Sequence, residues 1–276
     1  MMRIDVHTHA YADKIVERAM QQLKARMPPD YQSEDGRLTS LVASLAENGL
    51  DAAVVCSIAT KPSQFDVIME WSAAIRNGVF GEETARRVIP FISVHPSDPD
   101  RCRRVEQIAK AGFKGLKFHP YYQGFVLDDP EVIDLFRCVA RNGLTIICHV
   151  GFDIAYPHDR ICDPVRVRRV AEALPDAKFI AAHFGGWMDW DEAEAHLVGQ
   201  PIDIEISLAL DNLPLDRVRD MIMRHPLDRL HYGSDWPWSR HADSLALLEK
   251  MALPPERLEA LLGGNSARLI LGCDPQ

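Results

Sequence analysis

Within its first ten residues the chain reads IDVHTHA (4–10), which sets His7 and His9 one residue apart with Asp5 two positions before them. Successive side chains of an extended strand point to opposite faces, so Asp5, His7 and His9 are expected on one face and Val6 and Thr8 on the other. Further along, Lys117 and His119 fall two apart in GFKGLKFHP, His149 stands in ICHVG, His183 in AHFGG and Asp235 in YGSDWP. Each closes a short apolar run. Imidazoles and a carboxylate brought together form an N/O donor set suited to Zn²⁺ or a similar divalent ion. Cysteine is absent from these positions and a place for water is left, which points to a catalytic rather than a structural metal site.

Positioning such residues is the work of the elements around them. Eight apolar runs recur, at 3–9, 51–58, 88–95, 113–119, 144–150, 178–184, 202–208 and 229–235. Most are too continuously apolar for half-exposed antiparallel strands, so a sheet covered on both faces is expected. Segments such as DPEVIDLFRCVARNG and DPVRVRRVAEALPDA lie between them, with apolar residues near i, i+3, i+4 and i+7. Their opening Asp-Pro suits an N-cap followed by the first helical residue, and a closing Gly suits the helix end. The alternation predicts the α/β class and a (β/α)8 TIM barrel, with residues 1–276 as a single domain. An open doubly wound sheet is the alternative. In a barrel, the candidate residues all fall at the C-terminal ends of strands, the rim where parallel barrels place their chemistry. One spacing is irregular: roughly forty residues, including AYADKIVERAMQQLKARMPPDYQSEDG, separate the first two runs. They predict a loop and helix excursion, read either as a lid over the mouth or as a surface insertion.

The chain has 276 residues, with 31 Lys plus Arg against 40 Asp plus Glu, a formal charge of −9. That balance argues against nucleic acid and anionic membranes as partners and leaves a small-molecule substrate. A homo-oligomer is compatible with this composition. No apolar stretch is long enough to span a bilayer, and the opening residues carry no basic-then-apolar leader. Six scattered cysteines without a C-x-x-C pair suit the reduced cytoplasm.

Taken together, the H-x-H of the first strand, the histidines ending strands five and six and the aspartate ending strand eight resemble the amidohydrolase superfamily of metal-dependent (β/α)8 barrels. The phrases GFKGLKFHP, ICHVG, AHFGG and YGSDWP resemble its amidohydrolase-related branch, and the likeness runs from residue 3 to about residue 272, through GGNSARLI. That branch includes aminocarboxymuconate-semialdehyde decarboxylase, related aromatic acid decarboxylases and pyrone dicarboxylate hydrolase. The resemblance implies His7, His9, His149 and Asp235 as ligands of one divalent metal, Zn²⁺ ahead of Mn²⁺. It makes His183 either a second-metal ligand or an acid–base group, and Lys117 either a carboxylated bridge between two metals or a rim cation. The activity it implies is hydrolysis of a small carboxylate-bearing ester, lactone or amide by metal-activated water, with Asp235 as general base and His183 and Lys117 assisting. Non-oxidative decarboxylation of an unsaturated or aromatic acid is the alternative. The intact ligand set weighs against a degenerate, non-enzymatic barrel. His119 and Arg160 are expected to bind substrate and Trp236 and Trp238 to wall it, and Asp5 is read either as orienting a ligand from below or as a structural carboxylate.

Overall fold

The computed structural model describes residues 2–273. Eight strands follow the apolar runs: β1 (Ile4–Thr8), β2 (Ala52–Cys56), β3 (Val88–Phe91), β4 (Gly115–Phe118), β5 (Thr145–Cys148), β6 (Phe179–Ala181), β7 (Asp203–Glu205) and β8 (Leu230–His231). All pair in parallel, β1-β2-β3 in one set and β4-β5-β6-β7-β8 in the other. Two short junctions join the sets. Ile92 N–H donates to Gly115 O at 3.1 Å and Lys117 N–H to Ile92 O at 2.8 Å. On the other side, Val6 N–H donates to Tyr232 O at 2.9 Å and Asp235 N–H to His7 O at 2.8 Å. Strand eight therefore meets strand one, and the barrel closes.

Helices occupy the outside. They are α1 (Asp13–Lys24), α2 (Leu38–Glu47), α3 (Phe65–Arg76), α4 (Glu82–Arg87), α5 (Arg101–Lys110), α6 (Pro120–Gln123), α7 (Pro130–Arg141), α8 (Pro164–Ala173), α9 (Trp190–His196), α10 (Ala209–Asn212), α11 (Leu215–Arg224), α12 (His241–Lys250) and α13 (Pro255–Glu259). The Asp-Pro signals mark true starts. Asp129 precedes α7 with Pro130 in its first turn, and the Asp163 carboxylate accepts from the Val165 and Arg166 amides at the head of α8. α7 turns Val132, Leu135, Phe136 and Val139 inward, a stripe at helical spacing.

Strand alternation sorts the apolar residues into two cores. Leu116, Phe118, Ile146, Cys148, Ala181 and Ile204 pack against the helices. Ile4, Val6, Val54, Phe91, Ile147 and Ile180, drawn from five strands, meet one another inside the barrel. β1 departs from the expected alternation. Its pairing with β2 shifts register between Asp5 and Thr8, so Val6 and His7 both serve the interior while Asp5 turns out. The Asp5 carboxylate accepts from Ser234 and bonds to His241 of α12 at 3.0 Å. Asp5 therefore does not lie beneath the ligands; it steadies them through backbone, accepting the His7 amide at 2.9 Å and the Ser234 amide at 3.2 Å.

The excursion between β1 and β2 carries α1 and α2 and crosses the mouth, where Leu23, Met27 and Tyr31 face the cavity. It is fastened to the loop after β8. The Tyr31 hydroxyl donates to Trp238 O at 3.1 Å, and Glu34 pairs with Arg240 at 2.9 Å.

Candidate metal centre

At the C-terminal ends of the strands, His7 Nε2 lies 3.2 Å from His9 Nε2, and Asp235 Oδ1 is 3.4 Å from the first and 3.1 Å from the second. The proton positions follow from what holds the far side of each ring. His9 Nδ1 faces Cys56 O at 2.9 Å, and a carbonyl only accepts, so Nδ1 carries the hydrogen and Nε2 keeps its lone pair. His7 Nδ1 faces the Glu205 carboxylate at 2.9 Å with the same consequence. Two lone pairs and a carboxylate oxygen thus point at one another. Asp235 Oδ1 is buried with no hydrogen-bond donor of its own. The Lys117 ammonium reaches His7 Nε2, while His9 Nε2 and Asp235 Oδ1 are left without a donor, and a donor set of this kind fits a divalent metal.

A second pair stands beside the first. His149 Nδ1 approaches His183 Nε2 at 2.9 Å. His149 Nε2 donates to Phe152 O at 2.8 Å, which leaves its Nδ1 lone pair on the cavity side, and His183 Nδ1 bonds the Ser207 hydroxyl at 2.8 Å. All four imidazoles are therefore held from behind by a carboxylate, carbonyl or hydroxyl, the arrangement that fixes tautomer and direction in metal-binding histidines. His149 converges with His183, not with the group formed by His7, His9 and Asp235, so the single four-ligand set expected of the sequence is split in two.

Lys117 is fully buried, with its Nζ 2.7 Å from His7 Nε2. Burial, then the Lys117 charge, push His7 well below the ordinary 6.5; burial first and His149 and Lys117 after it do the same to His183. His149 is pushed down to about 3, chiefly by burial. These rings stay neutral at pH 7 and keep lone pairs free for a metal.

The backbone is bent to make the group. His183 and Asp235 adopt φ of 58° and 62°, a left-handed conformation costly for residues with a Cβ. Each is pinned, His183 by its amide donating to Glu205 at 2.7 Å and Asp235 by its amide donating to His7 O. Gly233 in YGSD has a steric reason: a Cβ there would sit 2.2 Å from Glu205 Oε2 and 3.1 Å from His7 Cβ. Glycine lets the carboxylate reach under the ring.

Glu205 is the functional residue that sequence reading overlooked. Besides His7 and the His183 amide, it accepts from the Ser207 hydroxyl at 2.8 Å and the Ser207 amide at 2.6 Å. Burial nonetheless raises it to about 7. The alternation in IDIEISL, which sets Asp203, Glu205 and Ser207 on one face, is the signal that was there to read. Asp153, in the loop after β5, joins His119 and His149 in another convergent trio, its Oδ2 3.6 Å from His119 Nε2. His119 itself stacks between His149, at 4.1 Å, and Tyr122, at 4.0 Å.

Two expected substrate contacts lie elsewhere. Arg160 ion-pairs with Asp189 at 2.9 Å and is not on the cavity wall. Trp236 is buried and off the cavity wall, so of the two tryptophans only Trp238 faces the cavity. Tyr11, Tyr122 and Trp187 complete an aromatic wall.

The parallel eight-stranded barrel gathers buried histidines and an aspartate at its C-terminal rim, where parallel barrels place their chemistry. The chain belongs to the amidohydrolase family, whose sequence profile matches residues 4–270. No curated protein sequence matches it. Among solved structures it is similar to a TIM-barrel protein of uncharacterised function from Bordetella bronchiseptica, at 18% identity over 98% of this chain and 99% of that one, TM-score 0.76. It is also similar to a 5-carboxyvanillate decarboxylase from Novosphingobium aromaticivorans solved with bound manganese, at 14% identity over 98% and 97% of the two chains, TM-score 0.69. A probable 2-pyrone-4,6-dicarboxylic acid hydrolase from Acinetobacter baumannii shares 16% identity over 98% and 99%, TM-score 0.64. Both chemistries occur on this fold. Among the described residues, no helix is long and apolar enough to cross a membrane.

Proposed function

We propose that the protein is a metal-dependent hydrolase of a small ester, lactone or amide, with one divalent ion, Zn²⁺ or Mn²⁺, held by His7, His9 and Asp235. The observation that carries this reading is the convergence of His7 Nε2, His9 Nε2 and Asp235 Oδ1, with Lys117 reaching only His7 and no donor reaching Asp235 Oδ1. Such an ion, when bound, supplies Lewis acidity and an acidified water. Asp235 lines the cavity, and its carboxylate would take the proton from the attacking water. Lys117 is the cation beside it, placed to stabilise negative charge developing on a carbonyl oxygen. His149 and His183 form the opposite wall, and the aromatic side chains exclude bulk water. Arg160 is tied to Asp189 and does not line the cavity, so the carboxylate clamp expected of it is not supplied from that position.

A second metal reading has its own observation. His149 Nδ1 and His183 Nε2 make a second donor pair, with Lys117 contacting the first group, and carboxylation of that lysine would turn a buried cation into a bridging anion. Two metal equivalents, dependent on bicarbonate, would establish it. Decarboxylation is the competing chemistry, favoured by the flat aromatic wall of Tyr11, Tyr122, Trp187 and Trp238. Product analysis in ¹⁸O water separates the reactions: label in a carboxylate product supports hydrolysis, and CO₂ release without label assigns the site to decarboxylation. Asp235→Asn is expected to lower the rate by about two to four orders of magnitude.

A further inference from the structure

The cavity at the metal centre encloses only ≈ 90 Å³, against roughly 300–1,000 Å³ for ordinary small-molecule sites. It is not the whole space. A groove of ≈ 710 Å³ runs outward between α1 and α3 and shares five wall residues with it: His9, Tyr11, Leu23, Ile58 and Tyr122. The remaining wall is largely apolar, with Ile15 from α1, Val67, Ile68 and Trp71 from α3, and Phe80 beyond it.

The surface statistics point the same way. Seven large apolar residues are exposed among the described ones, and three of them, Ile15, Val67 and Phe80, line this groove. Apolar surface gathered in a concavity marks a binding site rather than chance exposure. Charged groups at the groove are Asp13, Lys14 and Glu70, two acids to one base, which disfavours an anionic occupant.

We infer that the groove between α1 and α3 binds an uncharged apolar tail of the substrate, while the small cavity admits only the carbonyl head that reaches His9 and Asp235. The inference rests on the metal-centre reading for the head and on the groove alone for the tail. The substrate is therefore elongated: a compact ester, lactone or amide carrying an alkyl or aryl chain. Burying that chain supplies affinity from atoms remote from the reacting bond. The excursion helix α1 then serves specificity, since Leu23 walls the cavity and Ile15 the groove.

The test uses n-alkanohydroxamic acids from acetohydroxamic to decanohydroxamic acid, whose head groups chelate divalent metals. Calorimetry on the metal-loaded protein should show Kd falling by up to about fourfold per added methylene until the groove is filled. Val67→Asp should flatten that dependence, and Val67→Trp should end it at a shorter chain, with metal content measured alongside as a check on folding. Metal-free protein should bind every member more weakly with the same chain-length dependence. A wrong metal assignment thus appears as no offset between loaded and metal-free protein, whereas a wrong groove assignment appears as a flat series. A chain-length dependence untouched by both variants also overturns the proposal. So does a flat series accompanied by a dimer, seen in sedimentation, that Val67→Asp dissociates; the groove would then belong to a second copy.

Discussion

Two sets of buried histidines in this barrel look alike by burial and differ in how their second nitrogen is used. His225, His231 and His241 have both ring nitrogens engaged by protein groups. His231 spans Asp203 and Ser266, both at 3.0 Å; His241 spans Asp5 at 3.0 Å and Ser44 at 2.8 Å; His225 reaches Ile202 O at 2.9 Å and accepts the Gly199 amide at 3.3 Å. At the mouth, His7, His9, His149 and His183 have one nitrogen held in this way and turn the other toward a neighbouring imidazole, with Lys117 also reaching that of His7. The first set is complete as folded. The second is complete only with a cation, because lone pairs facing lone pairs are unfavourable in a dry site. Burial alone therefore does not mark a functional histidine; an unshared nitrogen does.

Breaking the mouth set should give the largest effect. His7→Ala combined with His9→Ala is expected to abolish metal binding by elemental analysis and with it turnover, while the circular dichroism spectrum stays native. His231→Ala should do the reverse, keeping metal and costing about 1–3 kcal/mol of stability, because Asp203 Oδ1 and the Ser266 hydroxyl lose their partner while Arg229 still holds Asp203 Oδ2. If His231→Ala lost the metal, the division between the two sets would fail. Glu205→Gln comes next. It leaves the ligands in place but weakens the acceptor that directs His7, and metal affinity should fall by about 10–100-fold in competition with a chelator.

Acid should act on both sets, and more gently. Burial holds His149 down to about 3 and His225 to about 4, against 6.5 for an ordinary histidine. A depressed histidine binds its proton more readily in the unfolded chain, so the stabilising preference for the neutral fold is full above pH 6.5. It is lost as pH falls toward 4 and below. The melting temperature of metal-free protein should drop through that window, and His149→Gln should flatten part of the drop. The smallest effect is expected of Cys148→Ala, about 1 kcal/mol with metal content unchanged, since Cys148 packs on the helix side of β5. Metal loss there, with the fold intact, would put the β5 face the wrong way round.

Much of this was legible in the sequence because parallel strands, buried on both faces, announce themselves as apolar runs, and rim residues stand where the runs stop. All eight strands fall inside their predicted runs, and His7, His9, Lys117, His149, His183 and Asp235 meet at one mouth. Alternation failed at β1, where a register shift turns Asp5 out; no residue type in IDVHTHA signals it. Loop residues were the other weakness. Arg160 finds Asp189, 29 positions on, and of Trp236 and Trp238 only the second lines the cavity, because loop direction depends on contacts distant in sequence. The pairing of His149 with His183 in place of Asp235 depends on ring orientation, which strand position does not fix.

Anomalous diffraction from crystals grown with Mn²⁺ or Zn²⁺ would locate the ion. A strong peak is expected within bonding distance of His7 Nε2, His9 Nε2 and Asp235 Oδ1, and none beside His231 or His241. An empty mouth in metal-saturated crystals, with the imidazoles still facing one another, would contradict the metal assignment.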